Sequence, residues 1–161
     1  MKIKLYDLVT VYGVKSGFNF GLHLIADVTE DGIVLFHVQS SNFHVLSNKK
    51  VTTKPLNYDQ VKEKVARSKV TRVCNVYSEM NRRGEEWVGS LDGKPFVDKM
   101  RTKLTRFAKI GVFCDSDFDL NGRYLVLNTS KEHGALLFDC ERFTMRVFSK
   151  ADLAKCDCKF Y

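Results

Sequence analysis

Three glycines, Gly13, Gly17 and Gly21, lie between two stretches of alternating apolar residues, and this series limits the possible folds more than any other feature. Val9 and Val11 alternate as in a half-buried strand, and a second apolar run extends from Leu22 to Val28. Asp31-Gly32 follows, and an Asp-Gly pair between two strand-like runs predicts a hairpin, because both residues accept the positive φ of a type I′ turn. Ile33 to Val38 and Phe43 onward continue the β pattern, with turn residues at Ser40-Ser41-Asn42 and Ser47-Asn48. Short strands packed this closely predict a small curled barrel. Pro55 interrupts the pattern, which places a boundary at Pro55–Tyr58.

Beyond Tyr58 the apolar period changes from two to about 3.6. Val61, Val65 and Ala66 predict a short helix, capped by Asn57 or Asp59. Val70, Val73, Cys74, Tyr77 and Met80 predict a second, ended by Gly84. Pro95 suits a first helical position, and Phe96, Val97, Met100, Leu104, Phe107 and Ala108 then share one helical face. From Gly111 the β pattern returns, at Val112–Cys114, Tyr124–Leu127, Ala135–Phe138 and Phe143–Phe148. No internal repeat is visible. The expected fold is α+β: a small β-barrel over 1–57, then a basic helical segment with β-strands over 58–161.

Several classes are disfavoured. Mean hydropathy is −0.22, and no apolar run approaches the ~18 residues of a membrane helix. The N-terminal Met-Lys-Ile-Lys-Leu-Tyr-Asp does not read as a secretory signal, so a cytoplasmic protein is expected. Five cysteines form an odd set, expected to be reduced thiols, and Cys156-x-Cys158 alone falls short of a structural zinc pattern. His23, His37 and His44 alternate with apolar residues and read as partly buried, hydrogen-bonded side chains. Asp117-Phe-Asp119-Leu-Asn121-Gly122 resembles the start of a calcium loop, but Asn128 stands where the bidentate glutamate would be, so an Asx-rich turn is expected. Glycine-rich phosphate loops, a nucleophile elbow and HExxH are lacking. Cys114 or Cys140 with His133 would be the remaining nucleophile–base combination. The reading is a binding protein with no metal or cofactor, rather than an enzyme.

Charge points to the partner. Residues 1–57 hold six basic and four acidic side chains, 58–110 thirteen and seven, and 111–161 seven and eight, for a net +7 and a pI of about 9.2. On the expected third helix Lys99, Lys103 and Arg106 recur at i, i+4 and i+7, with Lys94 and Arg101 nearby and Arg82-Arg83 in the preceding turn. Lys15, Lys49, Lys50 and Lys54 flank the expected barrel. A basic, non-repetitive surface of this kind favours polyanions through phosphate neutralisation and counterion release.

The valine-rich strand, the glycines at 13, 17 and 21 and the following acidic-glycine turn resemble the KOW motif of small Tudor-like barrels, over about the first 55 residues. With the small size and basic charge, the chain is similar to the MotB-type early DNA-binding proteins of T-even phages. This resemblance implies double-stranded DNA binding with little sequence preference, RNA being the other nucleic acid to consider, and modulation of transcription or nucleoid organisation in an infected bacterium. A second class stays open: a small phage protein that inhibits a host protease or RNA polymerase, with Tyr12, Phe18, Phe20 and Phe43 as contacts.

Overall fold

The computed structural model describes residues 4–12, 21–29, 32–47, 69–88, 96–97 and 103–161. The chain divides into two compact units, 1–77 and 78–161. Both are built mainly from antiparallel strands, with few helices.

The first unit is a five-stranded sheet of β1 (Asp7–Tyr12), β2 (Gly21–Thr29), β3 (Gly32–His37), β4 (Asn42–Ser47) and β5 (Lys69–Asn75), in the order β4-β3-β2-β1-β5. A hairpin of β2 and β3 forms as expected, but Thr29 pairs with Gly32, so Gly32 belongs to the strand rather than to the centre of an Asp-Gly turn. Gly13 and Gly17 of the glycine series lie outside the described residues, and Gly21 opens β2 at φ +104°, where an L side chain would be strained. Leu8, Val9, Val11, Leu24, Ile25, Ile33, Leu35 and Phe36 are buried.

Of two expected helices, one forms only in its second half and the other is replaced by strands. Lys69–Asn75 is a strand paired with β1, and a helix, α1 (Val76–Arg82), begins only after it. Val70, Thr71 and Val73 are β-branched, which suits a strand that finds a partner edge, and that edge is β1. Gly84 follows α1 at φ +89°, its N–H donating to Asn81 O at 3.0 Å, as the expected helix stop. The expected third helix is replaced by a pair of two-residue strands, β6 (Phe96–Val97) and β7 (Lys103–Leu104), and Phe107 at φ +69° breaks any helical path before the next sheet. The expected helix over 58–66 lies outside the described residues. The sequence-level boundary fell at Pro55–Tyr58, whereas the first compact unit runs on through β5 to Tyr77.

The second sheet holds β8 (Lys109–Phe113), β9 (Gly122–Ser130), β10 (Gly134–Asp139), β11 (Thr144–Phe148) and β12 (Asp157–Phe160), in the order β11-β10-β9-β8-β12. A six-residue helix, α2 (Lys150–Lys155), enters through a capping box in which Ser149 and Asp152 satisfy each other's backbone N–H. Ile110, Val112, Cys114, Tyr124, Val126, Ala135, Leu137, Phe148 and Cys158 project from one face into the core, where Leu153 and Cys156 join them. Among the described residues neither five-stranded sheet closes on itself.

The two strand orders are the same, and the agreement extends to individual residues, so an internal repeat is present after all. Leu8 opposes Leu24 and Val11 opposes Gly21, as Lys109 opposes Leu125 and Val112 opposes Gly122. The ladder skips Ala26 in β2 and Leu127 in β9 at the same point of each strand. Ser41 at φ +61° and Phe143 at φ +59° each end the turn before the fourth strand, donating to His37 O and Asp139 O, both at 2.9 Å.

Candidate nucleic-acid interface

Of the cations assigned to polyanion binding, Lys15, Lys49, Lys50, Lys54, Lys94, Lys99 and Arg101 lie outside the described residues. Lys103 sits on β7 opposite Val97, so the helical stripe with Arg106 does not exist: its i, i+4, i+7 spacing had meaning only on a helix. Arg106 holds its guanidinium 4.7 Å from the centre of the Phe107 ring. Arg82 pairs with Glu79 at 2.9 Å, and Arg83 donates to the Met145 carbonyl at 3.0 Å, with Glu85 3.9 Å away. Arg83 is therefore at least partly a structural tie between the segment after α1 and β11.

A different set of cations is brought together by strand pairing. Gly111 on β8 opposes Arg123 on β9 and Lys159 on β12, and directly opposed residues point to one face. The neighbours Ile110, Val112, Tyr124 and Cys158 point into the core, so this row lies on the opposite face. Two strand spacings put the outer two Cα atoms roughly 10 Å apart. Lys109, two residues before Gly111, shares the face. Arg123 reaches Glu141 at 3.7 Å across the rim, an exposed pair that hydration and salt weaken. The face is exposed at Phe113, Arg123 and Lys159, and closes farther along at Leu125 and Phe138. Sequence reasoning missed Arg123 and Lys159 because they occupy separate strands. The available signal was alternation: each neighbours a core residue in a strand.

The other candidate chemistry is structural. Asp117 caps a short 3-10 turn, Phe118–Leu120, by accepting from the Asp119 N–H, as an Asx-type turn requires. Among the described residues no cluster of three or more His, Cys, Asp or Glu has a metal-binding arrangement. The five cysteines are free thiols. Burial pushes the Cys140 thiol up to about 11, the opposite of an activated nucleophile. The Cys114 thiol is held below its usual value, chiefly by the Ser116 hydroxyl 3.5 Å away and further by Cys156 and nearby backbone, and it also donates to the Lys155 carbonyl. His133 is exposed in the turn before β10 and, among the described residues, hydrogen-bonds to neither thiol.

His23, His37 and His44 do gather, on β2, β3 and β4, with ring centres 4.9 Å and 5.8 Å from His23. His23 is buried and donates from Nδ1 to the Gly21 carbonyl at 2.9 Å. Burial drives its pKa down to about 4, partly offset by that carbonyl and assisted by the two other rings. His37 Nδ1 accepts the Ser40 N–H at 3.2 Å, and the Ser40 hydroxyl as well. Asp139 fills the same place in the second unit, its Oδ1 accepting the Arg142 N–H at 3.0 Å.

No helix among the described residues is long and apolar enough to cross a membrane. Compared with protein-family models, with curated proteins and with solved structures, the chain matches none.

Proposed function

We propose that this protein binds DNA without catalysing a reaction, largely independently of sequence and through phosphate contacts. The observation that carries the reading is the row Arg123–Gly111–Lys159, two cations exposed on either side of a bare glycine with Lys109 on the same face. Such a row neutralises phosphates without reading base edges, which is the chemistry of sequence-independent binding. The first sheet's strand order is compatible with the KOW/Tudor-like unit that the glycine series at the start of the chain suggests, and the second sheet repeats that order, although neither closes into a barrel among the described residues. On this reading the protein would act on transcription or nucleoid organisation in a phage-infected bacterium. The cations outside the described residues would add to the same electrostatic attraction.

The test is titration of a duplex of arbitrary sequence with the whole chain at two salt concentrations, repeated with an unrelated sequence. Binding that weakens steeply with salt and changes little between sequences is expected. Affinity that is indifferent to salt would overturn the proposal.

A further inference from the structure

We infer that the cleft over Gly111 in the second unit accepts an unpaired nucleobase of single-stranded nucleic acid, an inference that rests on the polyanion reading above. The cleft has a volume of about 420 Å³, and Gly111, Phe113, Gly122, Asp157 and Lys159 contribute to its lining. Gly111 leaves the floor open: a Cβ built there would meet only the Lys159 carbonyl oxygen, at 3.9 Å. Phe113 shares the face with Gly111, lines the cleft and is 54% exposed, so its ring is open to a stacking partner. Tyr161, 48% exposed, follows β12 with its N–H donating to Lys109 O, and its ring centre is 5.8 Å from the Arg123 guanidinium.

A ligand suited to this site has a flat, stackable ring and nearby negative charge. An unpaired nucleotide has both, and base–aromatic stacking with flanking cations is how single strands are held without sequence preference. A regular duplex uses both faces of each base for its own stacking, so Phe113 would gain nothing from it. The carboxylate of Asp157, directly opposite Phe113 in the ladder, repels phosphate at that end. The strand backbone is thereby directed toward Arg123 and Lys159, with the base toward Phe113.

The internal repeat provides a comparison within the same chain. The positions corresponding to Gly111, Arg123 and Lys159 are Thr10, Leu22 and Thr71 in the first unit. Both cations and the open floor are replaced together. The fold itself therefore does not require them, which is expected of residues that serve a ligand.

The experiment compares three fluorescent probes of equal length with the full chain: oligothymidine, an abasic single strand and a duplex. Oligothymidine should bind at least about fivefold more tightly than the abasic strand, which offers phosphates but no rings. Gly111→Leu and Phe113→Ala, each checked by circular dichroism, should abolish that advantage while the abasic strand binds as before. If only one variant folds, that variant decides the matter. Equal binding of the two single strands by the unaltered protein, or an advantage that persists in a folded variant, would overturn the inference. Salt-sensitive duplex binding would in that event leave the proposed function standing. Failure to bind any of the three at low salt would overturn both.

Discussion

Tyr6 and Phe107 occupy the same place in the two units: each has a positive φ, 67° and 69°, and each donates its N–H to the fifth residue of the long second strand. The acceptors are Ile25 O at 2.9 Å and Val126 O at 2.7 Å. A non-glycine residue at positive φ costs on the order of 1 kcal/mol or more, so its recurrence indicates that the chain must turn there to enter the first strand. Tyr6 stacks on Tyr77 at 5.9 Å and Phe107 lies beside Arg106, contacts that help offset the cost.

Glycines in the second unit should show opposite sensitivities. Gly134 has φ +112°, and a Cβ there would lie 2.1 Å from the Phe148 carbonyl oxygen, a backbone atom with little room to yield. Gly134→Ala should cost more than about 2 kcal/mol, whereas Gly111→Ala, with open space above it, should fall within roughly 1 kcal/mol of the starting stability. Urea unfolding of the two variants checks the contrast. Similar midpoints would contradict the close approach at Gly134.

The turn carboxylate gives a second stability prediction. Asp139 is fully buried, and its Oδ1 accepts the N–H groups of Glu141 and Arg142 at 2.9 Å and 3.0 Å, while Oδ2 meets the Arg142 guanidinium at 2.9 Å. Asp139→Ala removes the acceptor and should cost roughly 2–4 kcal/mol. Asp139→Asn keeps a carbonyl oxygen for the turn and loses only a pair whose arginine is half exposed, so a loss of about 1 kcal/mol is expected. Equal losses in thermal unfolding would show that charge, not turn geometry, dominates.

Much of the strand framework could be read from the sequence, and the reasons for the misses are physical. Strands β8 to β11 of the second sheet announced themselves through β-branched and aromatic runs with turn residues between them. β5 did not, because Val70, Val73, Cys74, Tyr77 and Met80 also satisfy a helical spacing, and the choice was made by the partner edge of β1. The repeat escaped because corresponding residues share register rather than identity: His23 matches Tyr124, and His37 matches Asp139. The cationic row escaped for a related reason. Its members adjoin only after three strands have paired, whereas the lysine-rich segment that attracted attention is contiguous in sequence.

The histidine cluster should make the first unit sensitive to acid. His23 is neutral in the fold with a pKa near 4, against about 6.5 in an unfolded chain, so the unfolded state takes up its proton first. The stabilisation is complete above pH 6.5 and is lost as pH falls toward 4, by roughly 2–3 kcal/mol over that window. His44, lowered by burial and by His37, adds to the trend in the same direction. Hydrogen-exchange protection of the β2 and β3 amides should decline between pH 7 and pH 4.5, and His23→Gln should flatten that decline. An unchanged slope in the variant would assign the acid sensitivity to other groups.

The last prediction uses one unit to rewrite the other. Leu22 and Thr71 flank Thr10 in the first sheet as Arg123 and Lys159 flank Gly111 in the second, so the fold already accommodates the neutral residues at these positions. Arg123→Leu with Lys159→Thr should therefore fold, at little cost beyond the exposed Arg123–Glu141 pair. If both cations sit against phosphates, the double variant should bind duplex DNA less tightly on every sequence. The slope of log affinity against log salt should also become shallower by up to about two, close to one for each lost contact. The reciprocal change, Leu22→Arg with Thr71→Lys, should steepen the slope if the first sheet also faces the DNA. A folded Arg123→Leu/Lys159→Thr protein with unaltered affinity and slope would remove the row from the interface and leave the cations outside the described residues to account for binding.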